Sequence, residues 1–170
     1  MATEKELELM KAAQESLYYD YFEKAHKANE KRDYDNVIEY CNEMIRFLPE
    51  NCKNQGAAYY YRGLAYANKM DTVRGISDYT DAIQLGFEGK NDFALVFYNR
   101  GALYLKRGLY SKAITDFEMA YSLDPSDRQA RQAIEIAKSK RLSSSENEEK
   151  NELLLNNEIK KIKEECERQE

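Results

Sequence analysis

Little in this chain of 170 residues can carry out chemistry. His26 is the only histidine, so neither a histidine metal cluster nor a Ser-His-Asp relay has the residues it needs. The single Gly-Lys dipeptide, Gly89-Lys90, lacks the upstream glycine and the following Ser or Thr of a phosphate loop. No stretch collects a nucleophile, a base and an oxyanion donor. The expectation is a protein that is not an enzyme, with no catalytic residue, cofactor or metal. Two prolines and seven glycines exclude collagen-like and proline-rich disordered chains. Three cysteines, Cys41, Cys52 and Cys166, are odd in number and scattered, which fits reduced thiols better than a disulfide framework. No apolar run approaches the ~20 residues of a membrane span, and MATEKELELM lacks the basic-then-apolar order of a signal peptide, so a cytoplasmic setting without membrane contact is expected. A surplus of cations is missing too. The net charge of −5 argues against a nucleic-acid partner, because phosphate binding draws on excess Lys and Arg.

What is present is apolar content of 42%, enough for a core, in a chain that is 34% charged. With a mean hydropathy of −0.83, much of it must face solvent, as in a thin solenoid. The stretch from Ala94 to Pro125 shows how the apolar residues are used. Phe97, Gly101 and Tyr104 share one face of a first helix, and Ala113, Phe117 and Ala120 share one face of a second. Neither helix buries its face alone. Gly101 costs up to ~1 kcal/mol relative to alanine in a helix interior, and close approach of the two backbones offsets that cost. Pro125 then stops the second helix.

The same pattern recurs at intervals of 38 residues. Gly101, Tyr104, Phe117, Ala120 and Pro125 fall on Gly63, Tyr66, Tyr79, Ala82 and Phe87, and then on Ala25, Ala28, Cys41, Met44 and Pro49. A fixed period over three copies marks a repeat array. At these positions the chain resembles the tetratricopeptide repeat family, whose signature is met by Phe97, Gly101, Tyr104, Ala113, Phe117 and Pro125. Arg100 departs from it, since an aliphatic residue is commoner there. The period also exceeds the family's usual ~34 residues by about one helical turn, added around Glu50–Gln55 and Glu88–Phe93.

The expected fold is therefore all-α: a right-handed solenoid of three helix hairpins, a capping helix and a C-terminal amphipathic helix. Residues 1–17 form an N-terminal helical extension and 18–141 the repeat domain, with repeats at about 18–51, 56–89 and 94–127 and a capping helix at 128–141. A polar linker at 142–149 and a helix at 150–170 follow. The hairpin helices are expected at about Asp35–Phe47, Asn54–Lys69, Thr72–Leu85, Asn91–Arg107 and Tyr110–Leu123, with Gly86 as a C-terminal cap and Asn91 as an N-cap. Leu155, Ile159, Ile162 and Cys166 follow coiled-coil spacing for less than two heptads, so an amphipathic tail, packed on its own array or loosely solvated, is favoured over an oligomerising coil.

If Phe97, Gly101 and Tyr104 face the packed partner, residues offset around the first helices face the inner curve. Tyr19, Phe22, Tyr60, Tyr61, Leu64 and Tyr98 then make an aromatic trough, flanked by His26, Asn68, Asn99, Leu105 and Lys106. Tyrosine suits recognition because one ring offers both apolar contact and a hydroxyl. One subclass of the resembled family grips acidic chaperone tails with a clamp of cationic and amide side chains. The matching positions here hold Phe22, His26, Tyr61, Leu95 and Asn99, and none supplies the required cation. The expected partner is another protein, as an apolar or mixed peptide or helix. The rival reading is a structural protein, self-associating as a homo-oligomer through its terminal helices or filling its own trough with them.

Overall fold

The computed structural model describes residues 3–48, 53–86, 90–143 and 147–168. The slots at Pro49 and Phe87, Cys52, the inserted segments in part, Gly89 and the serines at 144 and 145 lie outside the described residues. Eight helices and no strand are found among those described: α1 Glu4–Glu30, α2 Tyr34–Phe47, α3 Lys53–Asn68, α4 Thr72–Leu85, α5 Lys90–Lys106, α6 Tyr110–Leu123, α7 Arg128–Leu142 and α8 Glu148–Glu167. Helices α1 to α7 pack on their neighbours in chain order, the connectivity of a solenoid. No helix among the described residues is long and apolar enough to cross a membrane.

Large and small residues are exchanged across each hairpin. A methyl group added at Gly101 would lie 2.9 Å from Phe117 Cε1, and one at Gly63 would lie 2.9 Å from Tyr79 Cδ1. Both rings therefore sit where a side chain would otherwise be. In the first hairpin the bulk is traded differently: Ala25 opposes the small, fully buried Cys41. The Tyr79 hydroxyl has no hydrogen-bond partner among the described residues, a cost that Phe117 avoids in the next copy.

The hairpin turns repeat as faithfully as the helices. Arg32, Met70 and Gly108, 38 residues apart, all adopt left-handed φ values of 57°, 66° and 73°. Closure of each turn is by a backbone bond of 2.9 Å, from Asp33 N to Ala28 O, Asp71 N to Tyr66 O and Leu109 N to Tyr104 O. Asp33 and Asp71 then cap α2 and α4. Gly86 ends α4 with a φ of 86° as expected. Asn91 does not cap α5, because the helix already begins at Lys90 and encloses it.

Three apolar clusters lie between successive hairpins rather than in one centre. The first joins Tyr18, Ala25 and Ala28 of α1 to Val37, Cys41 and Met44 of α2 and Ala58 and Ala65 of α3. A second gathers Ile76, Tyr79, Val96, Leu103 and Leu109, and Leu155 of α8 enters it. Phe117, Ala133, Ile134 and Ala137 anchor the third, beneath α7.

Candidate functional site

The first helices of the hairpins, α1, α3 and α5, bring the aromatic candidates onto neighbouring surfaces. Phe22 stands edge-on to Tyr61 at 5.2 Å between ring centroids, and Tyr61 edge-on to Tyr60 at 5.4 Å. Tyr60 leans on Tyr79 at 6.1 Å, and its counterpart Tyr98 leans on Phe117 at 5.5 Å. These rings are half-buried, and Tyr60 and Tyr98 each lean on the ring that fills a glycine notch. Tyr19, edge-on to Tyr18, is 60% exposed, and Leu95 is 52% exposed.

The flanking candidates sit differently. Leu64, Asn99 and Leu105 are half-buried, Leu105 against the third cluster. Asn68 turns its amide onto its own helix, donating to Leu64 O at 2.8 Å. Exposed Lys106 reaches across to Met70, Nζ to Sδ 3.1 Å. His26 is exposed with Nδ1 3.8 Å from a Glu30 carboxylate oxygen, next to a Lys27–Glu23 pair on the same helix. The surface is thus aromatic along its floor and mixed at its rim, with acidic side chains on α1 and a cation at the end of α5.

Sequence reasoning missed a repeated ionic staple beneath the opposite side of the same helices. Arg62 donates from Nε and Nη2 to the two Asp78 oxygens at 2.8 and 2.7 Å, and from Nη1 to Asn42 Oδ1 at 2.7 Å. Arg100 does the same to Asp116 at 2.8 and 2.9 Å and to Thr80 Oγ1 at 3.0 Å. Each guanidinium ties its own hairpin together and reaches the second helix of the preceding one. Burial pushes the Asp78 and Asp116 carboxyls up, and the facing guanidinium pulls against it. Two accepted N–H bonds per carboxyl suit the carboxylate form. The signal is in the sequence: Arg, Asp and an Asn/Thr hydrogen-bonding slot recur at the repeat period, with Arg100 in the slot where an aliphatic residue is commoner.

A second missed feature is the seat of α8. It folds back against α4, with Leu155 only 1% exposed and Ile159 partly buried. Its acidic side chains meet cations of the array, Glu158 to Arg107 at 2.5 Å and Glu152 to Lys112 at 2.8 Å, and Glu148 accepts from Ser111 N. The aromatic floor is not among these contacts.

A stack of antiparallel helix hairpins sharing interfacial cores defines a helical-repeat solenoid, the class whose surfaces act by presenting an extended face. Residues 94–127 match the family model described as Tetratricopeptide repeat. Solved structures with the same fold include the Arabidopsis OM64 TPR domain, at TM-score 0.64 and 19% identity over 74% of this chain and 98% of that one. The second TPR domain of human RPAP3, in complex with the HSP70 peptide SGPTIEEVD, gives 0.63 and 21% over 74% and 98%. TPR2B of yeast Sti1, in complex with pHsp70, gives 0.63 and 20% over 74% and 99%. Among curated proteins, serine/threonine-protein phosphatase 5 of Rattus norvegicus is 28% identical over 102 residues, 59% of this chain and 18% of that protein. The chain spans less than a fifth of that relative's length. Residues 94–127 thus carry a tetratricopeptide repeat, and the chain shares the fold of the solved TPR domains.

Proposed function

We propose that this protein is a non-enzymatic adaptor that holds a peptide or helix of another protein along the inner face of α1, α3 and α5. The observation that carries this reading is the tiled row of Phe22, Tyr61 and Tyr60, continued by Tyr98 one repeat on, with Tyr19 and Leu95 exposed beside it. Rings already fixed by their neighbours lose little freedom on binding. His26, Leu64, Asn68, Asn99, Leu105 and Lys106 supply the rim of the same surface. Two of the solved neighbours are complexes with the acidic peptides SGPTIEEVD and SRMEEVD. Here Glu23 and Glu30 border the α1 end, and the clamp positions hold Phe22, His26, Tyr61, Leu95 and Asn99. An apolar or mixed segment suits this face better than an acidic tail.

The test uses exposed positions that spare the core. Panning a random-peptide phage library on the full chain should enrich apolar or aromatic sequences. Changing Tyr19→Glu and Leu95→Glu together should remove the enrichment while the helical circular dichroism stays unchanged. Enrichment that survives both changes refutes the reading. A fluorescein-labelled SRMEEVD peptide is expected to show no saturable binding.

Self-association through the terminal helices is favoured by one observation. Leu7, Leu9 and Met10 on the overhanging half of α1 are 49%, 71% and 59% exposed. A mass by light scattering that falls by half in Leu7→Glu/Met10→Glu would establish it.

A further inference from the structure

The surface built by α4, with Arg107 and the start of α6 towards one end and α3 towards the other, carries its own occupant, and that occupant does not fill it. The N-terminal half of α8 is well seated: Leu155 is buried in the second cluster, and three acidic side chains meet Ser111 N, Lys112 and Arg107. Beyond Ile159 the fit loosens. Between Ile162, Lys163 and Cys166 on one side and Tyr59, Tyr66 and Arg74 on the other lies a cavity of about 540 Å³. Ring faces and a guanidinium line it, with the Arg62–Asp78 staple at its base. Helix α8 thus covers a seat wider than itself, held by one deep apolar anchor and by ion pairs that salt weakens.

We propose that this outer seat is a docking site for an amphipathic helix of another protein, and that α8 is a displaceable intramolecular occupant of it. The chemistry of the seat defines the partner. It carries a large aliphatic residue where Leu155 sits, acidic residues seven and three positions before it and three after, and apolar residues four and seven after. Aromatic side chains at the Ile162 and Cys166 positions fill the cavity against Tyr59, Tyr66 and Arg74, so such a helix outcompetes α8. This site is separate from the tyrosine row, and the two can be occupied independently.

The probe is a fluorescein-labelled synthetic peptide of residues 147–168, read by anisotropy on the full chain. Leu155→Glu in the chain removes the resident anchor and leaves the seat intact. That variant should bind the peptide at least roughly tenfold more tightly than the unaltered chain does. Adding Arg107→Glu and Lys112→Glu to the variant should abolish the gain, and a peptide with Phe at positions 162 and 166 should bind several-fold tighter than the native one. Equal binding by both chains, or no gain from the aromatic peptide, overturns the proposal. Hydrogen exchange on the unaltered chain keeps the test independent of the variant's folding. Amides of α8 should exchange roughly tenfold faster than those of α4, as a displaceable helix must; equal protection overturns it. A dimer of the unaltered chain that Leu155→Glu converts to monomer would overturn it as well, since the occupant would then be a second copy's α8.

Discussion

Gly101 states the logic of the fold in one position. In an ordinary helix, Gly→Ala stabilises by up to ~1 kcal/mol. Here the added methyl would sit 2.9 Å from Phe117 and 3.2 Å from Asp116 Cβ, so the sign should reverse. Gly101→Ala is expected to destabilise by about 1–3 kcal/mol in urea unfolding. Arg32 poses the opposite case. Its left-handed φ of 57° is one that a glycine occupies in the equivalent turn at Gly108. Arg32→Gly should therefore raise stability by about 1 kcal/mol, seen as a higher melting temperature. Cys41 adds a pH dependence. Burial pushes its thiol up to about 12 from an ordinary 9.0, so the folded chain keeps it neutral where the unfolded chain ionises. Its contribution is complete below pH 9 and is lost as pH rises towards 12. The stability difference between the native chain and Cys41→Ala should shrink across that window, and iodoacetamide at pH 8 should label exposed Cys166 long before Cys41.

Between elements, the repeated staple decides how hairpins are joined. Arg100 is 14% exposed and Asp116 4%, so removing one partner strands the other charge. Asp116→Ala should cost about 3–5 kcal/mol, whereas Arg100→Leu with Asp116→Leu should come close to neutral. A double-mutant cycle by chemical denaturation checks both. If the double variant is as unstable as the single one, burial of the charge is not what sets the cost. The equivalence of Arg62–Asp78–Asn42 and Arg100–Asp116–Thr80 makes the second copy a built-in replicate of the measurement. In the first copy the same slots hold Lys24 and Tyr40, and Lys24 pairs along its own helix with Asp20 at 2.6 Å. Lys24 is exposed and stays on its own helix rather than joining two hairpins.

At the scale of the molecule, three clusters shared between neighbours replace a single core, so stability is close to a sum of interfaces. The hairpin helices were legible in the sequence because their apolar stripes repeat at a fixed interval. Three independent copies make the same statement about the chain. Local periodicity and side-chain size were thus enough to establish the hairpins and the glycine notches. What periodicity could not convey was which faces meet at a distance. Whether Arg100 is a stray cation or half of a buried pair depends on Asp116 and Thr80 arriving from two other helices. Whether Leu155 anchors a tail or sits in solvent depends on the path α8 takes back to α4. The tiling of Phe22, Tyr61 and Tyr60 likewise arises only when α1 and α3 stand side by side. Contacts within a hairpin are encoded by spacing along the chain; contacts between hairpins depend on the angle at which they stack, which only the packed structure decides.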